Sequence, residues 1–96
     1  MNIKTLDFRN CKTIIELHYV IQQQLELPAW YGYNADALWD LLTGHIELPL
    51  TICLFLPEKP TNSLRDEIDK VIQVFKDAVD EGYEVKVLDR YEKPLF

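Results

Sequence analysis

The pattern of apolar and polar residues along the chain predicts three β-strands. Residues 2–8 alternate loosely between the two classes, which is typical of a first strand. Residues 50–56 form a nearly continuous apolar run, so we expect a strand that is buried on both faces, as in a parallel sheet. Residues 83–88 alternate again and predict a third, more exposed strand.

Two longer segments repeat apolar residues every three or four positions, which predicts amphipathic helices. The first opens with a capping box of Thr13 and Glu16 and ends before Pro28. The second begins near Ser63 and is closed by Gly82. The expected inward residues are Ile14, Leu17, Ile21 and Leu25 in the first helix, and Leu64, Ile68, Val71, Ile72, Phe75 and Val79 in the second.

A short helix of about ten residues is predicted between them, near the usual helix length. Asn34 is the expected N-cap, and Gly44 is the expected C-terminal stop in a left-handed conformation. Leu38, Leu41 and Leu42 share the face that should point to the core.

Strands separated by helices predict one α/β domain over residues 1–96, a small three-stranded parallel β-sheet packed by helices. Residues 90–96 are expected to be a tail, because Pro94 disfavours further strand.

Three residues that often carry chemistry have structural explanations here. His18 is expected near the polar edge of the first helix, as a satisfied surface or packing histidine. Cys53 lies in the apolar run and is expected to be a small core residue. Cys11 is equally isolated, so we expect two free thiols in a reducing cytoplasm.

The charge of the chain limits its partners. A net charge of −6 argues against direct binding of nucleic acid or an anionic membrane and favours a basic protein or a cationic ligand. From Thr13 to Glu58 the chain contains no Lys or Arg. The N-terminus lacks the apolar run of a signal peptide, and no stretch is long enough to span a membrane.

Two acidic residues of the short helix stand out. Asp36 and Asp40 lie one turn apart on the same face. Asp36 is explained by the positive end of the helix dipole, but Asp40 lies in the last turn, where the dipole disfavours an anion. Because Asp40 costs stability and has no basic residue four positions away, it is a candidate functional residue.

Four large aromatic residues surround these acids: Trp30, Tyr31, Tyr33 and Trp39. Trp39 and Tyr31 are equally expected in the core and at the surface. One short helix cannot bury all four rings, so at least one or two should be exposed beside the acids. Exposed aromatic rings beside charged groups are typical of protein-binding sites.

Other kinds of chemistry are poorly supported. No glycine-rich phosphate-binding motif and no Ser-His-acid or Cys-His set occurs, and no cofactor is predicted. A metal site at Asp36 and Asp40 with His45, or at His45 with Glu47, lacks the required further ligands. Two acids on adjacent turns also point the same way, unlike the facing pair of a glycosidase, so we predict that the chain is not an enzyme.

The run from Leu27 to Gly44 closely resembles the signature of the barstar family, intracellular inhibitors of small secreted bacterial ribonucleases of the barnase type. The resemblance rests on Tyr31-Gly32, Asn34, Asp36-Ala37-Leu38-Trp39-Asp40 and Leu42-Thr43-Gly44 and extends over nearly the whole chain. It implies a three-stranded parallel sheet with helices and a 1:1 complex with a basic ribonuclease.

The resemblance also implies roles for individual residues. Asp40 would enter the ribonuclease active site in place of a substrate phosphate, Asp36 would meet its cationic rim, and Trp30 would pack over its active-site histidine. Asp77 would reach an outlying basic group. The rest of the implied contact surface is Tyr31, Gly32, Asn34, Trp39, Thr43, Gly44 and His45.

The chain departs from the family pattern at several positions. Trp30 replaces a Tyr, Tyr33 replaces an acid, His45 replaces a Trp, and Asp77 replaces a Glu. Prolines 57 and 60 fall where the family has a short extra helix, so that helix is not expected. The alternative function is a non-inhibitory acidic interaction module that binds another basic protein or toxin.

Overall fold

Three parallel strands in one sheet, with three helices, make up the protein. The computed structural model describes residues 2–96, and the elements are β1 (Asn2–Asp7), α1 (Ile14–Gln24), α2 (Ala35–Gly44), β2 (Leu50–Phe55), α3 (Asn62–Asp80) and β3 (Val85–Leu88). The strand order is β1-β2-β3, with both pairings parallel. The predicted fold class is confirmed. No helix within residues 2–96 is long and apolar enough to cross a membrane.

The sheet is covered by helices on one face only. Because both crossovers step in the same direction along the sheet, right-handed connections place all the helices on the same side. The prediction that β2 is buried on both faces is therefore wrong, and so is the prediction of a core position for Cys53. Within β2, Leu50, Ile52 and Leu54 are buried against the helices, whereas Thr51, Cys53 and Phe55 are only half-buried.

The first helix begins as the sequence indicates. The Thr13 hydroxyl accepts a hydrogen bond from the backbone N–H of Glu16, and the Glu16 carboxylate accepts from the backbone N–H of Thr13, at 3.1 Å each. Leu17 and Ile21 are fully buried, but Ile14 is 38% exposed, contrary to the prediction. The first turn of α1 extends past the core, so helical periodicity alone assigned Ile14 wrongly.

The long helix is well defined at both ends. Thr61 caps its start, and the predicted closing residue, Gly82, follows its end with φ of +91°, a conformation that favours glycine. The backbone N–H groups of Gly82 and Tyr83 donate to the carbonyls of Val79 and Ala78, which satisfies the last turn. Two predicted inward residues, Ile72 and Val79, are only half-buried, and the other four are buried.

The C-terminal segment is more ordered than a tail. The backbone N–H of Leu95 donates to the carbonyl of Val87 at 2.9 Å, and Leu88 and Pro94 form a single antiparallel bridge. Pro94 prevents a longer pairing because it lacks an N–H group. As expected from the two prolines, residues 57–60 form no helix.

Because the core lies on one side of the sheet, buried and exposed positions of α1 should differ in their contribution to stability. Leu17→Ala should lower the free energy of unfolding by about 2–5 kcal/mol, because it removes a fully buried side chain and leaves a cavity. The matched control is Ile15→Ala in the same helix, where the side chain is 70% exposed and the change should be within about 0.5 kcal/mol. Urea denaturation measures both. Equal effects would contradict the burial described here.

Candidate protein-binding face

The short helix α2 carries the centre of the candidate site. The side-chain oxygen of Asn34 accepts from the backbone N–H of Ala37 at 2.8 Å, so Asn34 is the N-cap as predicted. Leu38, Leu41 and Leu42 are buried and fix the helix on the core. The opposite side of the helix therefore faces outward.

The end of α2 differs from the prediction. Gly44 is the last helical residue and has no positive φ, and His45 is the C-cap, with its backbone N–H donating to the carbonyl of Leu41 at 2.9 Å. No atom lies within 4 Å of a Cβ built on Gly44. Neither backbone conformation nor packing within the chain requires glycine at this position.

The two acids of α2 are exposed and uncompensated. Within residues 2–96, no Lys, Arg or His nitrogen lies within 4.0 Å of the carboxylate of Asp36 or Asp40. Each carboxylate is therefore hydrated rather than held by an ion pair of its own chain. Both remain available to a cationic partner.

Trp30 lies beside this helix and is 73% exposed, the largest exposed fraction of any large apolar side chain described. A groove of about 430 Å³ runs between Trp30 and α2. Asp40 lines this groove together with Gly32, Ala37, Leu41, Gly44 and His45. The structure thus brings five of the predicted site residues to one depression.

A second groove, of about 290 Å³, lies between α2 and α3. It is lined by Ala35, Asp36, Trp39, Val74, Asp77 and Glu81. Trp39 is half-buried, with its ring edge-on to Tyr83 at 6.0 Å between centroids. Asp77 is exposed, and its carboxylate accepts from the amide of Gln73 at 2.8 Å. Glu81 could not be predicted at this groove from the sequence, because only the packing of α3 on α2 brings it to the same groove as Asp36.

Two other predicted site residues hold the face in shape. The Thr43 hydroxyl donates to the carbonyl of Trp39 at 2.8 Å and is half-buried. Tyr31 is only 5% exposed, so its ring lies beneath the surface rather than on it. Of the four aromatic residues near the acids, Trp30 alone is exposed, whereas Tyr33 and Trp39 are half-buried.

Tyr31 belongs to a buried hydrogen-bonded chain. Its hydroxyl lies 2.7 Å from Nδ1 of His18, and Nε2 of His18 lies 2.7 Å from a carboxylate oxygen of Glu67. A neutral imidazole whose Nε2–H donates to Glu67 accepts at Nδ1 from the Tyr31 hydroxyl, which satisfies all three groups. His18 is completely buried, so its predicted place near the polar edge of α1 is wrong, although it is a packing residue as expected.

Tyr33 extends this cluster. Its hydroxyl donates to the side-chain oxygen of Gln22 at 2.8 Å, and its ring stacks on His18 at 5.8 Å between centroids. Tyr33 has a φ of +51°, a strained conformation for a bulky residue. The loop that carries Trp30 is thereby anchored on both sides of Gly32.

Comparisons with known proteins identify the family of the chain. The family model described as "Barstar (barnase inhibitor)" matches residues 1–93. The chain belongs to the barstar family. It is also similar to "Putative ribonuclease inhibitor YrdF" of Bacillus subtilis (strain 168), with 40% identity over 76 residues, 79% of this chain and 84% of that protein.

Family and relative together support a ribonuclease-inhibitor role and confirm the prediction that the chain is not an enzyme. The family assignment also confirms the resemblance drawn from the sequence.

Because Tyr31 belongs to a buried hydrogen-bonded chain, loss of its hydroxyl should destabilise the protein more than loss of an exposed tyrosine hydroxyl. Tyr31→Phe should cost about 1–3 kcal/mol of stability, because Nδ1 of His18 loses its buried partner. Tyr19→Phe, at a 55% exposed position of α1, is the control and should change stability by less than about 0.5 kcal/mol. Chemical denaturation at neutral pH measures both. An unchanged stability of Tyr31→Phe would show that the contact contributes nothing.

The difference in stability between the native protein and Tyr31→Phe should become smaller at alkaline pH. Burial, and then the charge of Glu67, raise the pKa of Tyr31, so the folded protein keeps its phenol protonated. In the unfolded chain the phenol ionises above about pH 10, which favours unfolding. The stability advantage of the native protein over Tyr31→Phe should therefore be complete below pH 10 and shrink above it. A constant difference across that range would contradict the raised pKa.

Proposed function

We propose that this protein inhibits a barnase-type ribonuclease by inserting Asp40 into its active site in place of a substrate phosphate. The observation that carries the proposal is the exposed, uncompensated Asp40 carboxylate beside the groove that Trp30 borders. A pocket that binds a phosphodiester is lined with Arg, Lys and His, and a carboxylate can accept their charge-assisted hydrogen bonds.

The neighbouring groups have complementary roles. Trp30 offers a flat ring for packing over a side chain of the partner, and such aromatic anchors dominate protein interfaces. Asp36, Asp77 and Glu81 line the second groove and add negative potential at the rim, which attracts a basic partner before contact. Asn34, Trp39, Thr43 and His45 complete the proposed surface.

The two glycines of the face are explained by different contacts, one within the chain and one with the partner. At Gly32 an added Cβ would lie 3.2 Å from the Cβ of Ala37, so packing within the chain already favours glycine. At Gly44 the space is open, and we infer that a partner backbone approaches closely there.

The proposed complex has 1:1 stoichiometry, because residues 2–96 present one such face. The free thiols of Cys11 and Cys53 fit a reducing compartment, and we place the inhibitor in the cytoplasm.

Replacement of Asp40 tests the proposal directly. Asp40→Ala should weaken binding to barnase by about thirtyfold or more, since truncating one partner of a buried charge pair costs about 2–5 kcal/mol, a range for which complexes of this family are a reference case. Asp69→Ala is the matched control, an exposed acid of α3 that lines neither groove. Calorimetric titration and inhibition of RNA cleavage provide the measurements.

The outcomes separate the two functions. Inhibition that is lost in Asp40→Ala and kept in Asp69→Ala supports phosphate mimicry. Equal inhibition by both variants would refute the role of Asp40. A complex with a basic protein that leaves ribonuclease activity intact would favour the non-inhibitory interaction module.

Gly44→Ala should change stability and binding in opposite directions. The free protein should gain up to about 1 kcal/mol, because alanine is the better helix former and meets no atom there. Binding should weaken, because the new methyl group lies between the two proteins.

Gly82→Ala is the contrasting control for this variant. Its φ of +91° makes alanine strained, so stability should fall by about 1 kcal/mol or more while binding is unchanged. Thermal unfolding and calorimetric titration are the two readouts. If Gly44→Ala bound as tightly as the native protein, the close approach of the partner would be excluded.

A further inference from the structure

A cleft lies away from α2, at the carboxyl ends of the three strands. Its lining residues come from the segments that directly follow each strand: residues 9–12 after β1, 56–61 after β2, and Arg90 after β3. Because all three strands are parallel, these segments meet at the same edge of the sheet. The cleft measures about 670 Å³, which is within the range of small-molecule sites.

The charge of this cleft is opposite to that of the protein. Four of the ten basic residues line it, Arg9, Lys12, Lys59 and Arg90, against one of the sixteen acidic residues, Glu58. Such a concentration of positive charge in a chain of net charge −6 is unfavourable by itself, because like charges repel. An anionic ligand would offset that repulsion.

Not all of these positive charges are available. Arg9 donates to both carboxylate oxygens of Asp7, at 2.9 and 2.8 Å, and these hydrogen bonds lower the pKa of Asp7. Within residues 2–96, no carboxylate oxygen lies within 4.0 Å of the side-chain nitrogens of Lys12, Lys59 or Arg90. Their combined charge exceeds that of Glu58, the acidic residue that lines the cleft, so the cleft suits an anionic ligand such as a phosphate monoester.

Helices α1 and α3 both begin at this edge of the sheet, but their positive ends contribute unequally to the electrostatic potential of the cleft. At the start of α1, the Glu16 carboxylate accepts from the backbone N–H groups of Lys12 and Thr13 and compensates the positive end of the helix. At the start of α3, Thr61 caps the helix, and the first turn contains no acidic residue. The positive end of α3 therefore adds to the lysine and arginine charges beside Thr61.

The remaining lining is apolar and rigid. Leu56 is 43% exposed at the cleft, and Pro57 and Pro60 restrict the backbone around it. Arg9 lies over the ring of Phe55 at 4.6 Å, which holds its guanidinium in place. Apolar surface beside the charges of Lys12, Lys59 and Arg90 suits a ligand with an organic body as well as a phosphate.

We propose that this cleft binds an organic phosphate monoester of about the size of a nucleoside monophosphate. Lys12, Lys59 and Arg90 contact the phosphate, and Leu56 and the two prolines contact the organic part. The chain lacks a glycine-rich phosphate loop, so side-chain cations rather than backbone N–H groups hold the anion. The cleft shares no lining residue with the two grooves of the α2 face, so its occupancy can be tested without a ribonuclease.

The test is an NMR titration of the full chain at low ionic strength with adenosine 5′-monophosphate, adenosine and inorganic phosphate as separate probes. The nucleotide should give saturable shifts of the backbone amides in residues 9–12 and 56–61. Inorganic phosphate should bind at least about tenfold more weakly, and adenosine more weakly still, because each offers only part of the contacts.

A charge-matched pair of variants localises the binding. Lys12→Gln with Lys59→Gln should weaken nucleotide binding by about tenfold or more, since it removes two charge-assisted contacts. Lys86→Gln with Lys93→Gln changes the net charge equally at residues outside the cleft and should stay within about twofold. All these positions are exposed, and circular dichroism checks that each variant is folded.

Several results would overturn the proposal. They are the absence of saturable shifts with the nucleotide, equal binding of nucleotide and inorganic phosphate, equal binding of nucleotide and adenosine, shifts confined to α2, or equal weakening by both variant pairs.

Discussion

The buried chain of Tyr31, His18 and Glu67 is the contact on which the binding face depends. It joins the loop before α2 to α1 and to α3, three parts of the chain that are distant in sequence. A buried polar group is costly without partners, so the three side chains are stable only in this mutual arrangement. That requirement fixes the ring of Tyr31 beneath the surface, and the neighbouring Trp30 is thereby directed outward.

Charge is separated between two regions of this small molecule. The acids Asp36, Asp40, Asp77 and Glu81 line the two grooves beside α2, whereas four basic residues gather at the carboxyl edge of the sheet. The fold explains the second region, because all three strands end there and each following loop contributes to it. These acidic and basic side chains therefore lie in separate regions, and such a charge distribution orients a protein in the field of a charged partner.

Local signals in the sequence predicted much of the fold. The capping box at Thr13 and Glu16, the N-cap Asn34 and the closing Gly82 depend on neighbouring residues, and all three are confirmed. The prediction that β2 is buried on both faces was wrong because an apolar run does not reveal on which faces of a sheet helices pack. His18 was misplaced because helical periodicity treats histidine as polar, although a carboxylate from α3 makes its burial possible.

The candidate site was predicted only in part, for a related reason. Exposed acids at i and i+4 on a capped helix can be derived from spacing, and Asp36 and Asp40 are exposed as expected. Tyr31 cannot be told from a surface aromatic by its neighbours in sequence, since its hydroxyl meets groups from two other elements. Glu81 and the cleft at the carboxyl edge of the sheet are visible only after the elements are packed.

The return of residues 94 and 95 along β3 has a consequence for aggregation. A three-stranded sheet has two outer strands whose unpaired backbone groups can recruit strands of other molecules. Here the C-terminal segment occupies one of them with the Leu95 hydrogen bond, and Pro94 offers no donor to extend the ladder. The other outer strand, β1, carries Lys4 and Asp7, which are held in ion pairs with Glu26 and Arg9. Charged side chains on an outer strand disfavour its pairing with a strand of another molecule.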